Sequence, residues 1–130
     1  MSRAAGVRCL PVVEVSEALS AFREAADLKA ELATPEALDH ELFGRMESAW
    51  QVLEAAGDTG RDAWRSLLQD ESRYVRCWVA TQLLGLGERS AAAILEADAE
   101  KGDLQAFNSA MSLKEWRHGT LQPPLGSCTT

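Results

Sequence analysis

Residues 70–84, DESRYVRCWVATQLL, constrain the fold more than any other stretch of the chain. On a helix that begins near Ser72, one stripe is apolar except for Gln82 and comprises positions 75, 78, 79, 82, 83 and 86. A second stripe beside it comprises positions 74, 77, 81 and 84. Because a surface helix needs only one apolar face, this helix is predicted to be covered on at least two sides. The inner helix of a stack of helix pairs meets that condition.

Five further segments show helical periodicity, and no segment reads as a convincing strand. They run from 16 to 31, 34 to 56, 62 to 69, 88 to 101 and 103 to 118. Ser16, Thr34 and Asp103 are predicted N-caps, with Pro35 at a first helical position. Gly44 lies inside the second segment, where glycine costs about 1 kcal/mol relative to alanine.

The length of 130 residues suits one domain. We predict an N-terminal arm at 1–13, one helical domain at 14–119 and a flexible tail at 120–130, where Pro123 and Pro124 oppose regular structure. The sequence has no apolar run of membrane-spanning length, and Arg8 interrupts any signal-peptide core, so a cytoplasmic location without membrane contact is predicted.

Residues 67–84 resemble a HEAT-type repeat, in which a helix ends in two leucines and an aspartate begins the following turn. Val-Arg, a small alanine and a second leucine pair then follow. The matching residues are Leu67, Leu68, Asp70, Val75, Arg76, Ala80, Leu83 and Leu84. The resemblance implies that Asp70 caps the second helix and that Arg76 makes structural ladder contacts between repeats.

Residues 61–121, including AMSLKEWRHGTL, also resemble a small bacterial family of single-domain HEAT-like proteins of uncharacterised function. The predicted fold is therefore all-α, with about six helices in a short, irregular HEAT-like stack of helix pairs.

The net charge of −7 is unevenly distributed. Eleven acids between Glu14 and Asp58 face three basic residues, whereas eight basic residues nearly balance nine acids from Arg61 onward. This imbalance argues against binding to nucleic acid, because phosphate backbones attract basic surfaces. On the first predicted helix, one acidic face is formed by Glu17, Glu24, Asp27 and Glu31. This face is either ordinary solvated surface or a docking surface for a basic protein. The candidate partner-binding residues are Glu17, Glu24, Asp27, Glu31, Glu36, Glu47 and Trp116.

No catalytic, metal-binding or cofactor-binding constellation is predicted. Cys9, Cys77 and Cys128 are widely spaced, and Cys77 is expected to be a small buried residue. The carboxylates around His40 lack the companions that a metal site or an acid–base pair requires. Of the four tryptophans, Trp50, Trp64 and Trp78 are predicted to pack inside the fold, and the role of Trp116 is left open.

Three functions are carried forward from these observations. The first is a non-catalytic immunity- or antitoxin-type inhibitor that neutralises a basic, nuclease-like toxin domain through its acidic helical face. This hypothesis is an analogy from fold and charge. The second is an adaptor that assembles a larger complex through an apolar groove or the C-terminal tail. The third is a helical enzyme, for example one with a glycosylase-like fold.

Overall fold

The computed structural model describes residues 11–31 and 36–126, without the side chains at 11–13, 31, 36 and 37. Within those ranges the chain forms six α-helices and no β-strand, which confirms the predicted all-α class. The helices are α1 (Pro11–Glu31), α2 (Glu36–Ala55), α3 (Asp58–Ser66), α4 (Arg73–Gly85), α5 (Ala92–Ala99) and α6 (Leu104–Arg117). Short 3₁₀ turns at Leu67–Gln69 and Arg89–Ala91 precede α4 and α5. The HEAT-like pairing of these helices stays a prediction.

The chain divides into two compact units, unit 1 at residues 1–65 and unit 2 at residues 66–130. Throughout the described ranges, every helix is too short or too polar to cross a lipid bilayer.

The first helix begins earlier than its periodicity suggested. Its described part already includes Pro11, five residues before Ser16. The prediction of Ser16 as an N-cap is therefore wrong, since Ser16 lies inside α1. Thr34 and Pro35, the predicted start of α2, lie outside the described residues.

An aromatic cluster forms the centre of unit 1. Phe22 of α1, Trp50 of α2 and Trp64 of α3 are all fully buried. The ring centroids of Phe22 and Trp64 lie 4.5 Å apart, and those of Trp50 and Trp64 lie 5.0 Å apart. The predicted packing of Trp50 and Trp64 is thus confirmed.

The start of α3 touches the end of α2 closely enough to require glycine. A Cβ atom at Gly60 would lie 1.8 Å from the carbonyl oxygen of Leu53, which is far inside van der Waals contact. Any side chain at position 60 would therefore push α3 away from α2 and disturb the aromatic cluster that α3 completes.

Helix α4 is the central helix of unit 2, as its two stripes predicted. Val75, Val79 and Ala80 are fully buried, and α4 contacts α5, α6 and both 3₁₀ turns. Its N-cap is Ser72, whose hydroxyl accepts a hydrogen bond from the N–H of Val75. The expectation that Asp70 caps this helix is therefore wrong.

Asp70 and Arg76 instead organise the turn before α4. The Asp70 carboxylate accepts a hydrogen bond from the N–H of Ser72, at 3.0 Å. The Arg76 guanidinium donates to the backbone carbonyls of Asp70 and Glu71, at 2.7 and 3.0 Å. Both residues thus have structural roles, but these contacts of Arg76 are local to its own turn.

Residues of the C-terminal segment pack against α4, which was not predicted from the two prolines. Leu125 is buried, and the Gln82 side chain binds the backbone on both sides of the Leu125–Gly126 peptide bond. The Gln82 amide nitrogen donates to the carbonyl of Gly126, and the amide oxygen accepts from the N–H of Leu125, both at 2.8 Å. The backbone at Pro123 also passes close to Gly85, since a Cβ there would lie 2.5 Å from it. Residues 127–130 lie outside the described ranges.

Arg73 connects the first turn of α4 to α5 and to the start of α6. Its Nε donates to the buried Asp98 carboxylate at 2.8 Å. Its two terminal nitrogens donate to Asp103 at 2.6 and 3.0 Å. Asp103 also caps α6 by accepting from the N–H of Ala106, as predicted, and Asp98 accepts from the Ser109 hydroxyl. One guanidinium thus holds three helices together.

These contacts shift the pKa values of all three charged groups. Hydrogen bonds to Asp103 and Asp98 raise the pKa of Arg73 above its usual value. Burial disfavours a charge on Asp98, but the hydrogen bonds from Arg73 and Ser109 outweigh it, so the pKa of Asp98 is lowered. Hydrogen bonds from Arg73 and from the Ala106 N–H lower the pKa of Asp103 to about 2. Both carboxylates are therefore ionised at neutral pH.

The substitution Arg73→Met is expected to destabilise the protein by about 3 kcal/mol, because it leaves the buried Asp98 carboxylate without its cation. In an Asp98→Asn background the same substitution should cost clearly less, since no buried charge remains. Chemical denaturation of all four proteins measures this coupling. The control is Arg117→Met, which removes an exposed ion pair with Glu96 and should change stability by less than about 0.5 kcal/mol. Equal losses for Arg73→Met and Arg117→Met would contradict this role of Asp98.

The Asp103 carboxylate should contribute to the acid sensitivity of folding. Its pKa is about 2 in the folded chain and 3.8 ordinarily, so the unfolded chain binds the proton more readily. The contribution of Asp103 to the free energy of unfolding is fully present above about pH 4 and is lost as the pH falls towards 2. Asp103→Asn keeps a capping side chain but removes this charge, so its unfolding free energy should fall less steeply in that window. Urea denaturation at several pH values tests this, and parallel curves for the two proteins would contradict it.

The substitution Gln82→Met is expected to release the C-terminal segment, because methionine fills a similar volume but can bind neither Leu125 nor Gly126. The Leu125 amide should then exchange its hydrogen with solvent about tenfold faster or more, as measured by NMR. The control Gln122→Ala changes an exposed residue of the same segment and should leave that exchange rate unchanged. Unaltered protection of Leu125 in Gln82→Met would show that the two hydrogen bonds do not hold the segment.

Candidate functional site

A groove of about 980 Å³ runs between α1 and α2 on the surface of unit 1. Its uncharged lining residues, called its floor below, come from both helices and are mostly small: Ala18, Ala21, Gly44, Ser48, Ala49 and Val52. A Cβ atom at Gly44 would meet nothing within 4 Å, so the glycine opens the floor further. The packing of α1 against α2 forms this groove, because the larger apolar residues of both helices point towards the core.

Four glutamates line this groove, three from α1 and one from α2. They are Glu14, Glu17, Glu24 and Glu41. The basic residue of the lining, Arg45, is bound to Glu41 at 2.6 Å one helical turn away. The groove therefore combines an uncharged floor with an acidic margin. Such a surface attracts cations and basic side chains and repels anions.

The structure separates the acidic residues singled out in the sequence. Glu17 and Glu24 are exposed and line the groove, as a single docking face requires. Asp27 and Glu47 are half-buried and lie outside the groove lining. The side chains of Glu31 and Glu36 lie outside the described residues. Trp116 is half-buried near the C-terminal end of α6, in unit 2.

The groove residues that were missed as candidates for partner binding include Glu14, Glu41 and Gly44. Glu14 lies one turn before Glu17 on the same helix, so helical spacing alone contained the signal for it. Glu41 and Gly44 belong to α2, and only the packing of that helix on α1 brings them to the groove.

A second cavity, of about 260 Å³, lies within unit 2 between α4 and α6. Cys77 and Trp78 line it from α4, Asn108 and Ser112 line it from α6, and Pro124 of the C-terminal segment lines it as well. Trp78 is half-buried, less buried than its predicted packing implied. Neither a charged residue nor a histidine belongs to the lining of this cavity.

The cysteine in this cavity is buried, as predicted. Burial is the main cause that raises the pKa of the Cys77 thiol. The Ser109 hydroxyl lies 2.8 Å from Asp98 and 3.6 Å from the Cys77 sulfur, and its single proton goes to the carboxylate. Burial therefore favours the protonated thiol over the thiolate. A nucleophile needs the thiolate form, which this environment disfavours.

The exposed side of α6 carries a short apolar stripe. Leu104, Phe107 and Met111 are 76%, 59% and 39% exposed, and they lie on one face of the helix. Exposed apolar residues are common individually, but three at helical spacing form a continuous patch that favours contact with another apolar surface.

Within the described residues, no three histidine, cysteine or acidic side chains are close enough together to hold a metal ion. The chain matches no protein-family model, no curated protein and no solved structure with which it was compared.

Proposed function

We propose that this protein is a non-catalytic protein-binding module, an immunity- or antitoxin-type inhibitor that acts in the cytoplasm on a basic toxin domain. The observation that carries the proposal is the acidic groove of unit 1. Glu17 and Glu24, selected from the sequence for their helical spacing, line the same concave surface as Glu14 and Glu41. The HEAT-like stacking of the helices belongs to this proposal and supports it by analogy only.

The chemistry of the groove favours a basic, amphipathic segment as the ligand. Its small floor residues allow the backbone of a bound helix or extended strand to approach closely. Lysine or arginine side chains of that segment reach the glutamates at the margin. In a nuclease-like toxin, segments of this kind line the cleft that binds phosphate, so their occupation blocks the substrate.

The electrostatic contribution acts mainly on association. Four glutamates in one concavity raise the local concentration of a basic partner and speed its approach. The same like charges repel one another and destabilise the folded chain slightly. The Arg45–Glu41 pair relieves part of that repulsion, and an incoming basic segment relieves more of it.

The double substitution Glu17→Lys/Glu24→Lys should weaken binding of a basic amphipathic peptide about tenfold or more, chiefly by slowing association. Surface plasmon resonance with a synthetic lysine- and leucine-containing peptide measures both rate constants. The matched control Glu71→Lys/Glu100→Lys makes the same change in net charge at exposed residues outside the groove. Equal effects of the two pairs would indicate general attraction by net charge and contradict a role for the groove.

A steric variant tests the same site without altering its charge. Gly44→Leu should place a side chain over the floor of the groove and weaken binding by increasing dissociation, while α2 stays folded because nothing lies within 4 Å of the added Cβ. Salt-step elution of partners captured from native cells by wild type and by Gly44→Leu identifies the natural target. A basic protein held equally well by both would show that it binds elsewhere on the chain.

The adaptor is the second candidate function, and a separate observation favours it. The apolar stripe of Leu104, Phe107 and Met111 is exposed and belongs to unit 2. The C-terminal segment, by contrast, is less suited to recruit a partner, since Gln82 and the burial of Leu125 hold it against α4. An adaptor would lose partners on substitution in the stripe and would be indifferent to charge reversal in the groove.

A further inference from the structure

Part of α6 carries its polar and apolar residues in an order opposite to that of an ordinary packed helix. Its apolar stripe around Phe107 faces solvent. The side that lines the cavity towards α4 carries amide and hydroxyl groups, at Gln105, Asn108, Ser109 and Ser112. A packed helix normally turns its apolar residues inwards and its polar residues towards solvent. Departures from that pattern are expected at binding sites, where side chains serve a ligand and not the core.

Two of these polar side chains have no hydrogen-bond partner among the residues that the structure describes. They are Asn108 and Ser112, which lie four residues apart and therefore on the same side of α6. Two other hydroxyls of the cavity are already engaged. Ser109 donates to a carboxylate of α5 and Thr81 donates to the carbonyl of Cys77, each at 2.8 Å. Asn108 and Ser112 are therefore the groups that a ligand in the cavity meets unpaired.

Trp78 supplies the aromatic part of the lining, on the α4 side of the cavity. Its side chain is only half-buried, although α4 is otherwise the central helix of unit 2. Thr81 lies close to it on the same helix, and Pro124 of the C-terminal segment also lines the cavity. The cavity thus combines an aromatic residue on one helix with amides and hydroxyls on the other, which suits a ligand that has an apolar face and polar edges.

The absence of charge decides which ligands fit this cavity. All eight of its lining residues are uncharged. An ion that entered it would lose water without gaining an opposite charge, so phosphates, carboxylates and ammonium groups are disfavoured. The volume of about 260 Å³ lies just below the roughly 300–1,000 Å³ of pockets for drug-sized molecules, so the ligand is small.

We propose that the cavity between α4 and α6 binds a neutral monosaccharide. The C–H groups on one face of the sugar ring pack against Trp78, and neighbouring hydroxyls bind the Asn108 amide and the Ser112 hydroxyl. An amide suits such hydroxyls because its oxygen accepts and its nitrogen donates, whereas each sugar hydroxyl does both. Since the ligand is small and the cavity is open to water, we expect a Kd on the order of 1 mM. This site belongs to unit 2 and does not rest on the proposed function of the groove.

Heteronuclear NMR titration of the full chain tests this site. The probes are D-glucose, D-galactose, D-mannose and N-acetyl-D-glucosamine, each at concentrations up to about 20 mM. At least one of them should cause saturable shifts of the Trp78 indole N–H and of the Asn108 side-chain amide. Asn108→Leu should weaken that binding about tenfold or more, because leucine has a similar volume but forms no hydrogen bond. The variant should stay folded, since Asn108 is exposed.

The control is Gln51→Leu, which replaces an exposed amide of α2 outside the cavity lining and should bind the sugar as wild type does. A lack of saturable shifts at Trp78 with all four sugars would overturn the proposal. Equal affinities of wild type and Asn108→Leu would place the sugar elsewhere and overturn it as well. Adenosine serves as a probe for a nucleobase site, and tighter binding of adenosine than of every sugar would contradict the ligand class.

The groove variant Glu17→Lys/Glu24→Lys separates this site from the proposed function. It should bind the sugar as wild type does, because both substitutions lie in unit 1. Asn108→Leu should in turn bind the basic peptide as wild type does. Loss of sugar binding in the groove variant would place the sugar at the groove and contradict the role of the α4–α6 cavity.

Discussion

The Arg73 guanidinium is the contact on which the arrangement of unit 2 depends. It donates hydrogen bonds to the buried Asp98 carboxylate of α5 and to the Asp103 carboxylate, which precedes α6. Both carboxylates thereby lie close to the start of α4. A buried ionised carboxylate is unfavourable unless hydrogen-bonded cations surround it, so Asp98 holds α5 near Arg73. The same guanidinium positions Asp103, which caps α6 and fixes where that helix starts. The cavity beside Cys77 and the exposed stripe on α6 therefore inherit their positions from this network.

Local sequence patterns were sufficient to predict the helices and some of their ends. The two stripes of α4 predicted its burial, and Asp103 was correctly identified as a cap, because both depend on residues within one or two turns. The partners of Arg73 and Gln82 could not be predicted in this way. Arg73 binds residues 25 and 30 positions away, and Gln82 binds residues 43 and 44 positions away. Such pairings follow from the packing of whole helices. In the sequence, Gln82 therefore appeared only as a polar interruption of an apolar stripe.

The candidate groove was predictable in part for the same physical reason. Helical spacing placed Glu17 and Glu24 on one side of α1, and both line the groove. Spacing alone did not separate them from Asp27, which lies further round the helix and is half-buried. The contribution of α2 depends on its rotation against α1, and the register of the two helices brings Glu41 and Gly44 to the groove. Gly44 is unfavourable for α2 by about 1 kcal/mol, and in the folded chain it opens the groove floor.

The division of charge along the chain suits the two surfaces to different partners. Of the net charge of −7, most lies before Ser66, while the following residues include eight acids and six basic residues. A concave acidic surface on the strongly charged unit attracts basic proteins and repels further copies of the same chain. The stretch 104–113 of α6 contains no charged residue, and its exposed apolar side chains favour contact with another apolar surface. Charge acts over distances of about 10 Å whereas apolar contact acts only on touching, so in the proposed function the groove would act during approach and the apolar stripe only after encounter.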